Sequence, residues 1–174
     1  MGQIGVLWVG KGRDRLLGEL VARYQARLER FAKVTMAHVA EATGEGRNPA
    51  EARRLEAERL RQVLTRWERG KPGLGLDGRQ GRAPGLLVVL DERGQLLTSA
   101  QLAEQLTRAS ERGLGRVSFV VGGDEGVDPA LRDEAGLLLS LSRMTFTHEF
   151  ARAILMEQIY RAHAIQAGHP YHRE

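Results

Sequence analysis

The sequence contains no cysteine. This absence excludes a disulfide framework, a thiolate zinc site and a cysteine nucleophile, and it suits a reducing compartment. No apolar run approaches the roughly 20 residues that a helix needs to cross a bilayer. The first residues, Met1 to Ile4, also lack the basic stretch and long apolar run of a signal peptide. We therefore expect a cytoplasmic protein with no membrane association.

The chain has little excess charge of either sign. Lysine and arginine together number 26 and aspartate and glutamate 22, which gives a net charge of +4. Such an excess permits a polyanionic partner such as a nucleic acid but does not require one. The 174 residues are 42% hydrophobic, which is enough for a core. The length therefore predicts one domain over residues 1–174.

Short apolar runs alternate with helical patterns along the chain. The expected strands cover residues 4–9, 34–40, 86–90, 117–121 and 137–141. The expected helices cover roughly residues 14–31, a stretch opening at 48–49, residues 98–112, a short helix after 128 and residues 148–167. The segment 98–101 resembles a capping box, and Asp128 with Pro129 forms a helix N-cap and first-turn pair. The strands are solidly apolar, which predicts an α/β fold with a mostly parallel sheet and helices on both faces. Ligands of such sheets bind beyond the carboxyl ends of the strands.

Glycines mark two segments. Residues 70–85 contain six glycines and two prolines, a density that predicts a long flexible loop. The segment Gly122–Gly126 directly follows an expected strand, so its backbone could approach a ligand closely. A tight turn into the next helix is an equally good interpretation of the same spacing.

The last third carries the remaining candidates. A loop from Leu141 to Phe146 offers apolar and hydroxyl side chains that could surround an adenine ring. His148 follows it, and could equally be an ordinary residue at a helix start. The tail at 168–174 contains an aromatic ring, two imidazoles and a guanidinium, which suit contact with a splayed nucleotide, although any terminus can be frayed. No carboxylate or cysteine pattern completes a metal site there, so none is expected.

Several motifs together resemble a known family. They are Val-Gly-Lys at 9–11, the Tyr24–Arg27–Leu28 face, Val-Leu-Asp at 89–91, Val-Gly-Gly at 121–123, Ser-Arg-Met-Thr-Phe-Thr-His at 142–148, Glu-Gln-Ile-Tyr-Arg-Ala at 157–162 and Tyr-His-Arg-Glu at 171–174. With them the chain resembles, nearly end to end, the RlmH-type pseudouridine N3-methyltransferases of bacterial large-subunit ribosomal RNA, which belong to the SPOUT superfamily.

The resemblance implies a fold, a cofactor and partners. It implies a SPOUT fold with a trefoil knot near the carboxyl end, a homodimer, 23S ribosomal RNA on the ribosome as substrate, and S-adenosylmethionine as cofactor. The implied cofactor-binding residues are Leu90, Gly122, Leu141, Ser142, Arg143, Met144, Thr145 and Phe146. One departure is Asp124, which places a carboxylate beside the cofactor loop where relatives often have proline or serine.

The substrate side is assigned from the same resemblance. His172, Tyr171 and Arg152 form the expected catalytic set, with Tyr171 and His172 contacting the base and Arg152 and Arg173 contacting phosphate. His148 and Arg173 are the expected substrate-binding residues. The proton on the target nitrogen must be removed, and its acceptor stays open among His172, Glu174 and His148.

Two other functions remain alternatives. One is a SPOUT RNA methyltransferase with a different nucleotide target. The other is a ribosome-binding module without enzymatic activity.

Overall fold

The chain alternates strands and helices, as its apolar pattern predicts. The computed structural model describes residues 2–42, 48–69 and 85–169. Its elements are β1 (Gln3–Val9), α1 (Arg15–Leu28), β2 (Lys33–Val39), α2 (Pro49–Arg69), β3 (Gly85–Leu96), α3 (Ser99–Glu111), β4 (Arg116–Val121), α4 (Pro129–Asp133), β5 (Leu137–Ser140) and α5 (His148–Gln166). Of the loop expected at 70–85, all but Gly85 lies outside the described residues, and Gly85 opens β3.

Within the described residues the strands form one sheet in the order β2-β1-β4-β3-β5. Every neighbouring pair is parallel. The predicted parallel sheet is thereby confirmed. This order places the carboxyl ends of β4, β3 and β5 side by side, and the loops that leave these three strands meet at one edge.

Both faces of the sheet are covered by helices. Ile4 and Val6 of β1 enter a core that includes Leu155 of α5, together with residues of α1 and α3. Leu7 enters a second core, on the opposite face, with Leu60 of α2 and the fully buried Leu131. Successive residues of a strand point to opposite faces. A strand buried on both faces must therefore be apolar at every position, which is the pattern seen in the sequence.

Short polar signals fix where the helices begin. The Thr98 hydroxyl accepts a hydrogen bond from the Gln101 backbone N–H, and the Gln101 side chain accepts one from the Thr98 N–H, so the predicted capping box is confirmed. Asp128 caps α4 ahead of Pro129, also as predicted. Thr147 caps α5 by accepting from the Phe150 N–H. These caps set the orientation in which each loop enters its helix.

The third strand is longer than the sequence indicates. It was expected over residues 86–90 but continues to Leu96. Leu90 and Gln95 both pair with Leu139, so β3 meets β5 in two registers. Between them lies Gly94, where an added Cβ would come within 2.5 Å of the Leu139 carbonyl carbon. Only a residue without a side chain lets the two backbones approach this closely. The apolar pattern does not indicate the extension, because residues 91–95 are polar or glycine.

Gly94→Ala should therefore destabilise the protein by about 1–3 kcal/mol, because a rigid backbone faces the new methyl group. Gly18→Ala is the matched control. Gly18 is an exposed residue within α1, and a Cβ added there would meet no atom within 4 Å. Alanine at this position should therefore stabilise the protein by about 0.5–1 kcal/mol. Urea unfolding of both variants checks the pair. A Gly94→Ala protein as stable as the wild type would show that the β3 and β5 backbones are not tightly packed at this position.

Candidate active site

A cavity of about 470 Å³ lies at the carboxyl edge of the sheet. Leu90 of β3, Val121 at the end of β4 and Leu139 of β5 form its floor. Residues 91–93 of β3 and the loops that follow β4 and β5 form its walls. This is the place where ligands bind on open parallel sheets, and a largely apolar floor with polar walls suits a nucleoside-like ligand.

The loop after β4 is a tight turn that brings backbone to the cavity. The Gly126 N–H donates to the Gly123 carbonyl at 3.0 Å, which closes the turn. A Cβ added at Gly122 would lie 2.7 Å from Val127 Cγ2 and 2.9 Å from the Gly126 carbonyl carbon. The interpretation of this segment as a tight turn is therefore confirmed. The turn lines the cavity, and the close approach of its backbone to a ligand stays a prediction.

The loop between β5 and α5 is held by its own serines. The Ser140 hydroxyl donates to the Ser142 carbonyl at 2.9 Å, and the Ser142 hydroxyl accepts from the Met144 N–H at 2.9 Å. Seven of the eight predicted cofactor-binding residues line the cavity. They are Leu90, Gly122, Leu141, Ser142, Met144, Thr145 and Phe146. Arg143, the eighth, is exposed and is not part of this lining.

Sequence reasoning missed several charged groups of the cavity. Arg53 of α2 reaches it and donates to the Glu125 carbonyl at 3.3 Å. Asp91 and Arg132 form an ion pair at 3.0 Å, with side chains only 8% and 20% exposed. The pair ties β3 to α4. Asp91 was visible in the Val-Leu-Asp motif, but nothing in the sequence predicts which helices approach it.

His148 lines the cavity and is bound by Asp124. The imidazole Nδ1 lies 2.8 Å from the Asp124 carboxylate, which joins the loop after β4 to the first residue of α5. The next residue, Glu149, accepts from the backbone N–H groups of Arg13 and Asp14 at 2.8 and 3.0 Å. These two hydrogen bonds hold the pKa of Glu149 below its ordinary value. The start of α5 is therefore fixed from two sides.

Arg152 lies in the interior, beside the cavity and not in its lining. It is only 4% exposed, and its guanidinium carbon lies 4.4 Å from the centre of the Trp8 ring. Burial lowers its pKa, while Glu149 nearby acts in the opposite direction. Within the described residues its Nε and Nη1 atoms have no hydrogen-bond partner. The expected contact of Arg152 with phosphate stays a prediction, and this conformation does not expose the side chain for it.

The other predicted substrate residues are outside the described part of the chain. Tyr171, His172, Arg173 and Glu174 belong to this group. Among the described residues, no cluster of three histidine, aspartate or glutamate side chains is suitable for a metal ion. In the same part of the chain, no helix has the length and apolar character needed to cross a membrane.

Comparison with known proteins identifies the family. A family model described as "Predicted SPOUT methyltransferase" matches residues 2–172. The chain belongs to the SPOUT methyltransferase family. The predicted family, the reaction class of methyl transfer and the cofactor, S-adenosylmethionine, are thereby confirmed.

Individual relatives agree with this assignment. The chain is 37% identical over 171 residues to Ribosomal RNA large subunit methyltransferase H of Geobacter metallireducens, and this covers 98% of both chains. It is 34% identical to the protein of the same name from Bifidobacterium adolescentis, over 98% of this chain and 99% of that one. A methylase family protein of Neisseria gonorrhoeae has a similar fold, with a TM-score of 0.50, 14% identity and coverage of 99% of this chain and 87% of that chain.

A buried carboxyl of α2 binds the segment after β2 and gives a pH-dependent test of stability. Glu56 of α2 is 4% exposed and accepts from the Ala42 N–H at 2.9 Å. Burial raises its pKa above the ordinary value, opposed by the Ala42 hydrogen bond and aided by repulsion from Glu41 and Asp124. The folded state therefore binds the Glu56 proton more tightly than the unfolded state does. This contribution to stability is fully present below the ordinary pKa and is lost as the pH rises through the raised pKa.

Glu56→Gln should therefore raise the melting temperature near neutral pH, because glutamine still accepts from Ala42 and carries no buried charge. The gain should disappear below pH 4.5, the ordinary pKa, where the wild-type carboxyl is protonated. Thermal unfolding at both pH values checks this. Glu58→Gln, an exposed site on the same helix, should change little. A Glu56→Gln protein that melts lower at neutral pH would contradict the cost assigned to the buried charge.

Proposed function

We propose that this protein methylates N3 of a pseudouridine in 23S ribosomal RNA, with the assembled ribosome as substrate. The observation that carries the proposal is the similarity, over nearly the whole chain, to relatives named Ribosomal RNA large subunit methyltransferase H. The cavity at the carboxyl edge of the sheet supports a cofactor-dependent reaction at that place.

The cavity fits S-adenosylmethionine on the chemistry of its lining. Apolar groups such as Leu90, Leu141 and Phe146 suit an adenine ring. Gly122 lets the turn after β4 close tightly at the cavity, because a Cβ there would meet Val127 and the Gly126 backbone. The cofactor supplies a methyl group that is already activated on a sulfonium. The protein's contribution is then to orient the target base and to remove one proton.

The ribosome is favoured as substrate by the small charge excess. A net charge of +4 gives little sequence-independent attraction to naked RNA. A structured ribosomal surface would add shape and protein contacts to that weak attraction. We further propose one domain over residues 1–174, a homodimer, a trefoil knot at the carboxyl end and a cytoplasmic location. The close approach of β3 and β5 at Gly94 is compatible with the proposed knot.

The substrate assignment is tested with purified ribosomes, separated subunits and deproteinised 23S RNA. We expect a mass increase of one methyl group, placed at N3 of one pseudouridine by mass spectrometry, and the fastest transfer on whole ribosomes. Methylation of a different nucleotide would support another SPOUT activity. An absence of transfer to all three substrates by a protein that binds the cofactor would contradict the proposal and favour a binding module.

Two variants should separate the cofactor side from the substrate side. Gly122→Val should abolish binding of S-adenosylmethionine in calorimetry, because the branched side chain meets Val127 and the Gly126 backbone. Deletion of residues 171–174 should leave that affinity unchanged and remove methyl transfer. Retained affinity in the valine variant, or full transfer by the truncated chain, would contradict the corresponding assignment.

A further inference from the structure

The contact between Asp124 and His148 spans the mouth of the cavity. It joins residues 24 positions apart, and both line the cavity. The His148 side chain is 18% exposed, whereas that of Asp124 is 73% exposed. The imidazole is thus held inside the site by a carboxylate that itself faces solvent.

This contact defines which ring nitrogen can accept a proton. An ionised carboxylate only accepts hydrogen bonds, so the Nδ1 atom of a neutral imidazole must carry the hydrogen in the contact. The lone pair then lies on Nε2. Within the described residues, Nε2 of His148 makes no hydrogen bond. The hydrogen bonds of Glu149 to Arg13 and Asp14 prevent the helix start from moving away.

We propose that Asp124 is a positioning residue that holds His148 in the Nδ1–H form, and that Nε2 of His148 accepts the proton from the target nitrogen. The inference rests on the proposed function, because it requires a target that bears an N–H. It assigns to Asp124 a role beyond its place beside the cofactor loop.

The step balances in atoms and charge. The N–H bond of the base breaks and its electron pair forms the new bond to the methyl carbon. The bond between methyl and sulfur breaks, and its pair stays on sulfur as a neutral thioether. The proton moves to Nε2, so the positive charge of the sulfonium ends on an imidazolium beside the Asp124 carboxylate. The proton then passes to solvent.

The other described groups at the cavity are weaker candidates. The carboxylates Asp91, Glu92 and Glu125 line it, and carboxylates are ordinarily weaker bases than imidazole. Asp91 is in addition paired with Arg132. Glu149 already accepts two backbone hydrogen bonds, which lower its pKa and weaken it further as a base. Among the described lining residues, His148 supplies the one imidazole, and imidazole is the side chain that most often transfers protons in enzymes.

The experiment uses His148→Gln, Asp124→Ala and Asp124→Asn in the full-length protein. Nitrogen NMR of the imidazoles at alkaline pH, without any substrate, reports the tautomer of His148. Calorimetry gives the affinity for S-adenosylmethionine, and single-turnover assays on ribosomes give the transfer rate. Asp133→Asn is the control, because it removes one carboxylate from an exposed position of α4 that does not line the cavity.

We expect His148→Gln to slow transfer by about 100-fold or more with cofactor affinity unchanged. Asp124→Ala should lose the Nδ1–H form and slow transfer by roughly 10-fold, through the loss of orientation and of charge beside the imidazolium. Asp124→Asn should keep the tautomer and most of the rate, because its amide oxygen still accepts from Nδ1–H. The control should match the wild type in all three measurements.

Two results would overturn the inference. An unchanged tautomer in Asp124→Ala would remove the positioning role. An unchanged rate in His148→Gln would place the acceptor elsewhere, with His172 or Glu174 next to be replaced. A different result would contradict the proposed function itself, namely a wild-type protein that methylates no ribosomal substrate. That result would also remove the proton step, while the tautomer measurement would still decide the role of Asp124.

Discussion

The burial of both faces of a parallel sheet is the constraint on which this structure depends. Helices α1, α3 and α5 cover one face, and α2 and α4 cover the other. The parts of the strands that are covered on both faces are then apolar. Charged groups gather towards the carboxyl edge of the sheet, including residues 91–93 in the extension of β3. The cavity at the ends of β3, β4 and β5 is therefore a consequence of the packing as much as of the loops that line it.

The sequence predicted the elements and much of the cavity because those features are local. Continuous apolar runs and capping residues indicated the strands and helix starts, and the loop from Leu141 to Phe146 was assigned from the resemblance. The sequence could not show what depends on distant parts of the chain. Arg53 reaches the cavity only because α2 packs beside the β4 loop. The extension of β3 past Leu90 depends on backbone pairing with β5, which apolar patterning does not report.

Arg152 shows how tertiary packing changes the meaning of a residue. It lies four positions after His148 on α5, so the two occupy the same side of the helix. His148 is at the cavity, whereas Arg152 is buried against the face of Trp8. An aromatic face compensates part of the free-energy cost of burying a cation. The nearby Glu149 carboxylate adds to this compensation, because it favours the charged form of Arg152. Within the described residues, the Nε and Nη1 atoms of this buried arginine have no hydrogen-bond partner, and burying such groups costs free energy.

The start of α5 connects these observations. Glu149 binds the backbone after β1, His148 binds the loop after β4, and Arg152 packs on β1 itself through Trp8. These three interactions, all made by residues between His148 and Arg152, fix one helix end against β1 and the loop after β4. A helix end held in this way can keep an imidazole in one orientation, so that the side chain need not be reoriented for each reaction. When the methyl donor is already activated, a site gains rate through such preorganisation. The proposed cofactor side consists of the serine-stabilised loop and the glycine turn, and the proposed proton acceptor lies at the start of α5. The Asp124–His148 contact joins the glycine turn to that helix start.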